Sequence, residues 1–258
     1  MPKKTALITG ASAGIGYELS QVFAKNGYNL ILVARRVDKL NALADELKTK
    51  YGITAAVIGK DLMTQGAAKA LFDEVSSAGL SVDVLVNNAG RGHYTKFLDN
   101  EVAVDEATLQ LNIVTLTTLS KLFGQAMVAQ GGGKILNVAS IAAFIPGPMM
   151  ALYNASKAYV LSFSEALNTE LKGQGVTVTA SCPGPTTSEF MALAASDKLE
   201  NLKYARFMEP SVVALEAYEA TMSGRAVVVH GAVNKAITFA PRITPRAVIP
   251  ELVQFFMK

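Results

Sequence analysis

Lys4-Thr5-Ala6-Leu7-Ile8-Thr9-Gly10-Ala11-Ser12-Ala13-Gly14-Ile15-Gly16 is the stretch whose reading decides the fold. Lys4 to Thr9 reads as a short buried strand that stops at a glycine. Ile15 to Asn26 has the apolar spacing of a helix and is closed by Gly27. Gly10, Gly14 and Gly16 stand between the two. Lacking a Cβ, they allow a tight turn and let an anion approach the backbone closely. The free N–H groups and the dipole of the following helix favour that anion. Strand, glycine turn and helix together suit a dinucleotide pyrophosphate. The spacing G-x-x-x-G-x-G departs from the commoner G-x-G-x-x-G, and the glycines alone also suit a plain strand-to-helix turn.

Outward from this unit, short apolar runs keep alternating with helix-sized segments. Asn29 to Ala34, Ile53 to Ile58, Val82 to Val86, Lys134 to Val138, Val176 to Ser181 and Arg225 to Val229 read as strands. Arg36 to Tyr51 reads as a polar-faced helix. The rhythm predicts an α/β fold: a Rossmann-like, doubly wound parallel sheet of about seven strands with helices on both faces. No repeat or linker divides residues 1–258, so one domain is expected. Proline and hydroxyl residues break the rhythm at 185–207, and prolines again interrupt 232–258. In such sheets ligands bind beyond the carboxyl ends of the strands. Gly10, Asn87, Ser140 and Pro183 all fall at or just past such ends.

Four residues are candidates for the chemistry. Tyr153 and Lys157 are four apart, so on a helix they share a face. A cation beside a phenol favours phenolate, which predicts a tyrosine tuned for proton transfer. Ser140 follows a strand and could hydrogen-bond a substrate carbonyl. Asn112 sits in a long helical stretch where asparagine has poor propensity. Arg35 and Arg36 follow the second strand, where an acid would suit the ribose of NAD; arginines with Ser12 instead suit a 2′-phosphate, which predicts NADP(H). Gly10-Ala11-Ser12-Ala13-Gly14 also matches the G-x-S-x-G nucleophile elbow, with His230 late in the chain. That elbow needs strands before it, and only one precedes Ser12.

The bulk properties exclude several classes. Net charge is only +3 over 258 residues, without the concentrated basic face of a nucleic-acid binder. Lys235, Arg242, Arg246 and Lys258 against Glu251 place all of that excess in the tail. The single cysteine, Cys182, allows no intrachain disulfide. His93 and His230 lack metal-ligand spacing, so no metal is expected. No apolar run reaches the ~20 residues of a membrane span. With Gly10 so near the start there is no room for a signal peptide, and a cytoplasmic setting is expected.

As a set, these motifs resemble the short-chain dehydrogenase/reductase family in its compact single-domain branch. Thr9 to Gly16 matches TGxxxGxG, Asp61-Leu62 the acidic-apolar pair at adenine, and Asn87-Asn88-Ala89-Gly90 the NNAG that supports the sheet. Asn112, Ser140, Tyr153 and Lys157 match the catalytic tetrad, and Pro183-Gly184 the start of the nicotinamide-side loop. Val33-Ala34-Arg35-Arg36, Ala158 to Leu167, Pro183-Gly184-Pro185-Thr186 and the basic tail are similar to the bacterial DltE-like group. The resemblance implies cofactor contacts from Gly10, Ser12, Gly14, Ile15, Gly16, Arg35, Arg36, Asp61, Leu62, Asn88, Ala89, Gly90, Tyr153, Lys157, Pro183, Gly184, Thr186 and Ser188. It implies hydride transfer on a carbonyl or secondary alcohol, with Tyr153 as acid/base, and a homodimer or homotetramer. The family's basic residue before the second glycine is missing, being Ala13. An apolar substrate pocket is expected from His93, Ile141, Ala142, Met149 and Phe190, with 185–207 as its loop. The other readings are an NADPH-holding sensor without chemistry and a hydrolase using Ser12. The apolar tail is expected to dock on protein rather than on membrane, since its prolines break any long amphipathic helix.

Overall fold

A computed structural model describes residues 3–187 and 207–257 of the chain. Seven strands form one sheet: β1 (Thr5–Thr9), β2 (Asn29–Ala34), β3 (Ala55–Gly59), β4 (Val84–Asn87), β5 (Gly133–Val138), β6 (Val176–Cys182) and β7 (Val227–Val229). Their order is β3-β2-β1-β4-β5-β6-β7 and every pairing is parallel. The order reverses at β1, which pairs with β2 on one side and with β4 on the other. A crevice opens beyond the carboxyl ends at such a reversal.

The helices are α1 (Gly14–Lys25), α2 (Val37–Tyr51), α3 (Ala67–Ser77), α4 (Val102–Leu109), α5 (Leu116–Ala129), α6 (Ala151–Leu171), α7 (Pro210–Met222), α8 (Ala232–Phe239) and α9 (Ile249–Met257). The sheet buries both faces because its strands are apolar at consecutive positions, and successive side chains point to opposite sides. Ala6, Ile8, Leu30 and Leu32 pack with Leu19, Phe23, Leu40 and Leu47 of α1 and α2. Ala214 and Ala217 of α7 join that layer. Leu7, Ile31, Val33 and Leu85 face the other way, against Leu71 and Val75 of α3 and Leu119 and Phe123 of α5. Each fully buried large side chain contributes roughly 1.5–3 kcal/mol. Asn87 ties the middle of the sheet to its cover: its Nδ2 donates to Ser120 Oγ at 3.0 Å and to Asn137 Oδ1 at 2.9 Å.

The tail breaks where the prolines stand. Between α8 and α9 lies a 3₁₀ turn, Ala240–Arg242, carrying Pro241. Ile249 is buried, but Val233, Phe239, Ile243 and Phe255 are exposed on this single chain. The expectation that the tail buries its apolar side chains therefore holds within the chain only in part. Among the described residues, no helix is long and apolar enough to cross a membrane.

Candidate active site

The glycine turn forms the first wall of the site. Gly10 has φ +67°, in the left-handed region that glycine adopts freely. A Cβ on Gly16 would collide with the Gly10 carbonyl oxygen and the Asn88 amide. Thr9 Oγ1 accepts from the backbone N–H groups of Asn88 and Ala89, both at 3.0 Å. Asn88 Nδ2 donates to Thr9 O at 2.9 Å. These bonds lock the end of β4 onto the turn after β1. Helix α1 starts at Ala13 with no side-chain cap, so its first-turn N–H groups remain available to an anion.

Cations stand at the rim. Arg36 donates from Nη2 to Ser12 Oγ at 3.1 Å, and Ser12, Arg35 and Arg36 all line the cavity described below. Arg91, just past Gly90, donates to His93 Nε2 and to Met63 Sδ. Burial and the neighbouring Arg35 push Arg91 below its ordinary pKa. Burial, and then Arg91, lower His93, which favours the neutral ring as the acceptor.

The second wall comes from β5, α6 and a wide helical turn. Gln110–Thr115, ahead of α5, is π-helical, and it carries Asn112. Single π turns of this kind concentrate at functional sites. Asn112 Nδ2 donates to Arg91 O at 2.9 Å and to Ser156 Oγ at 3.0 Å, and its Oδ1 accepts from Arg91 N at 3.0 Å. Ser140, after β5, accepts from Ala142 N at 3.1 Å and is hydrogen-bonded to the Tyr153 hydroxyl. Tyr153 and Lys157 lie one turn apart on α6. Lys157 Nζ donates to Val138 O at 2.8 Å.

Here the structure corrects one expectation. The Lys157 ammonium is held on Val138 O and stands 5.7 Å from the centroid of the Tyr153 ring. Burial prevails, and Tyr153 is pushed up to about 12, with the Ser140 hydrogen bond opposing. Burial likewise pushes Lys157 down to about 8. Tyr153 is thus a protonated phenol at neutral pH.

Gly10, Gly14, Arg35, Arg36, Arg91, His93, Ser140, Tyr153 and Lys157 border one cavity of about 1150 Å³. Of the cofactor residues expected from the sequence, those from Gly10 to Thr186 line it, except Gly16, which packs behind the turn. Ser140, Tyr153 and Lys157 reach it, as do His93, Ile141 and Ala142; Asn112 supports it from behind. Met149 does not line it. It borders a small neighbouring pocket with His93 and Tyr153, at φ +66°. Ser188 and Phe190 lie outside the described residues. What sequence reasoning missed is a third wall from the tail, including Ile237, Pro241, Ile249, Leu252 and Val253. Their apolar density was visible, but nothing local tells which surface it meets.

The hydrolase alternative finds no geometry. His230 is buried, with its ring nitrogens on Ser181 Oγ and Glu216 Oε2, both at 2.8 Å. Ser12 is held by Arg36. Ser181 and His230 are fully buried, so no substrate meets that serine. Among the described residues, no group of His, Cys, Asp and Glu side chains could hold a metal.

The parallel sheet, its glycine turn and the crevice at the β1/β4 reversal define a dinucleotide-binding α/β protein. Residues 4–199 match the family model described as short chain dehydrogenase, and the chain belongs to that family. It is 37% identical over 182 residues to a very-long-chain 3-oxoacyl-CoA reductase of Phaeosphaeria nodorum, which covers 67% of this chain and 52% of the relative. The chain thus spans about half the length of that relative. Among solved structures, a short-chain dehydrogenase from Sphingobium yanoikuyae in complex with NADPH matches with TM-score 0.83 and 30% identity over 93% of both chains. A bulky-bulky ketone specific alcohol dehydrogenase from Comamonas testosteroni matches with TM-score 0.79 and 28% identity, over 96% of this chain and 97% of that one. These likenesses carry the family and not the narrower DltE-like group.

Proposed function

We propose that the protein is an NADP(H)-dependent oxidoreductase that interconverts a carbonyl and a secondary alcohol on an apolar small molecule. One observation carries this reading: the Tyr153 and Ser140 hydroxyls are hydrogen-bonded to each other, with Lys157 one helical turn away, on the wall of a cavity that also contains the glycine turn. The residues present fit the cofactor. The Gly16 approach leaves room only for backbone, the first turn of α1 is uncapped, and Arg35 and Arg36 border the same cavity. The NADPH held by the Sphingobium structure supports the choice of cofactor.

When bound, NADPH would supply the hydride for a carbonyl carbon. Gly10, Gly14 and Ile15 would hold its pyrophosphate, and Arg35, Arg36 and Ser12 its 2′-phosphate. Ser140 would hold and polarise the carbonyl oxygen. Tyr153, protonated at neutral pH, would give that oxygen its proton, and would take it back in the oxidative direction. Positioned proton transfer of this kind contributes about 10²–10⁴-fold. Lys157 would face the nicotinamide ribose with its remaining N–H donors. Asn112 positions the loop at Arg91 and helix α6 through Ser156.

Ile141, Ile145 and Met150 make the acceptor side apolar. The likenesses to a bulky-bulky ketone specific alcohol dehydrogenase and to a very-long-chain 3-oxoacyl-CoA reductase support a carbonyl substrate. The test is NADPH oxidation followed at its absorbance band with a panel of apolar ketones and aldehydes. Turnover by the native protein, lost in Tyr153→Phe, supports the reading. Tight NADPH binding with no carbonyl turned over would make the protein a cofactor-binding sensor instead.

A further inference from the structure

A buried polar relay runs up to the strand end beside Ser140, and the reaction chemistry does not use it. Ser181 and His230 have no exposed surface, and Ser181 Oγ lies 2.8 Å from His230 Nε2. His230 Nδ1 lies 2.8 Å from Glu216 Oε2, and the Glu216 side chain is 41% exposed. The relay thus runs from solvent at α7, through the residue that follows β7, to the interior of β6. A carboxylate only accepts, so Nδ1 donates to Glu216; in the neutral ring Nε2 then accepts from the Ser181 hydroxyl. Buried polar groups are costly unless paired, and a chain of paired groups fixes the place of each member.

The inner end of the relay supports the wall that carries Ser140. Ala139 N donates to Ser181 O at 2.7 Å and Ile141 N donates to Pro183 O at 2.9 Å, so Ser140 is carried between two bonds to the end of β6. On its other side that strand end pairs with β7, a strand of three residues at the edge of the sheet. So short an edge strand is a slight support. The His230 ring adds a side-chain tie from β7 to Ser181. Its carbonyl oxygen accepts from Asn234 Nδ2 at 2.7 Å, and a Cβ on Gly184 would collide with that same amide. One residue therefore braces both the Ser140 side and the Pro183-Gly184 side of the wall.

We infer that His230 is a positioning residue for the reaction: through Ser181 it fixes the end of β6, and with it the place of the Ser140 hydroxyl against Tyr153. This rests on the reductase reading above. The relay is also open to pH. Burial lowers the His230 pKa from its ordinary 6.5; among the described residues, Glu216 of α7 opposes that shift and Lys235 of α8 adds to it. Protonation would put a hydrogen on Nε2, which would then donate to Ser181 Oγ and force the Ser181 hydroxyl to turn away. With the folded pKa depressed, the stability that the neutral ring contributes is present above pH 6.5 and is lost as the pH falls through the lowered value.

The experiment compares Ser181→Ala, His230→Asn and His230→Gln in the full chain. Asparagine carries an amide near the Nδ1 position and loses Ser181. Glutamine reaches the Nε2 position, keeps Ser181 and does not titrate. With a carbonyl that the native protein turns over, kcat at neutral pH falls about 10–100-fold in Ser181→Ala and His230→Asn, the cost of a displaced reacting group. NADPH affinity stays within a few-fold, and His230→Gln restores most of kcat. Thermal midpoints without substrate give a second readout. His93 is common to both proteins, so the gap between native and His230→Gln reports His230 alone, and the native midpoint falls relative to the variant below pH 6.5. Ser181→Ala removes a single oxygen, so the test survives a loss of fold in His230→Asn. Native kcat in Ser181→Ala overturns the inference and leaves the reductase reading intact. So does a kcat loss in His230→Gln as deep as in Ser181→Ala, which would make the ring mere packing. A midpoint gap constant with pH overturns the link to solvent. No turnover of any carbonyl by the native protein would remove the reductase reading, and this inference with it.

Discussion

Asn112 and Arg91 grip each other twice: Arg91 N donates to Asn112 Oδ1 at 3.0 Å, and Asn112 Nδ2 donates to Arg91 O at 2.9 Å. A side-chain amide thus pairs with a backbone as a neighbouring strand would. The π turn places it there, and the third bond, to Ser156, reaches the helix that carries Tyr153 and Lys157. Asn112→Ala would leave backbone groups of Arg91 unpaired, at roughly 1–3 kcal/mol. The expected result is a thermal midpoint lower by about 2–10 °C, with kcat falling more than NADPH affinity. A variant with native midpoint and native kcat would show that the clamp positions nothing.

Tyr153→Phe keeps the ring and removes the proposed proton donor. Turnover should fall by at least about 10²-fold, with NADPH affinity within a few-fold of native. Stopped-flow or steady-state NADPH oxidation measures the first, and NADPH emission the second; the chain has no tryptophan to obscure it. Activity within tenfold of native would place the proton source elsewhere.

Lys157 sets a pH limit. Burial lowers its pKa to about 8, well below ordinary lysine. The ammonium is therefore present below about pH 8 and lost above it, in the free enzyme. Because kcat/KM for NADPH reports the free enzyme, it should decline by up to about tenfold per pH unit above that point. Tyr153, near 12, stays protonated across this range and adds no second limb. A profile flat to pH 10 would contradict the role given to the ammonium.

Arg35 and Arg36 border the same cavity with different neighbours. Arg36 is hydrogen-bonded to Ser12, whereas Arg35 is near enough to Arg91 to lower its pKa. A bound 2′-phosphate would relieve that repulsion. Arg35→Ala should weaken NADPH binding by roughly 10–100-fold, the worth of a charge-assisted contact, with little change for NADH. Equal losses for both cofactors would mean that the arginine supports the fold rather than the phosphate.

The exposed Val233, Phe239, Ile243 and Phe255 predict self-association through the outer face of the tail. Light scattering should give a dimer or tetramer, and Phe239→Asp with Ile243→Asp should lower the mass. A native protein that runs as a monomer and floats with anionic vesicles would assign the same face, with Lys235, Arg242 and Arg246 beside it, to a lipid surface.

Local chemistry alone determined the fold class and most of the residues that line the candidate site. The strands announce themselves because each is apolar on both faces, as a doubly covered parallel sheet requires, and Asn29–Ala34 is read to the residue. Gly10, Gly14 and Gly16 are legible because backbone approach tolerates no side chain, and Tyr153 with Lys157 because four residues make one helical turn. Other features depend on what packs across from a residue, which no window of sequence contains. The π turn at Asn112 reads locally as ordinary helix. The direction of the Tyr153 pKa was decided by burial, and the Lys157 ammonium is held by Val138, nineteen residues away. Met149, at positive φ, borders a neighbouring pocket and not the main cavity. The tail's apolar residues were plain in the sequence, yet only the tertiary structure divided them into a cavity wall and an open face. Which side of a short helix meets the site depends on where Gly184 and Asn234 let that helix sit.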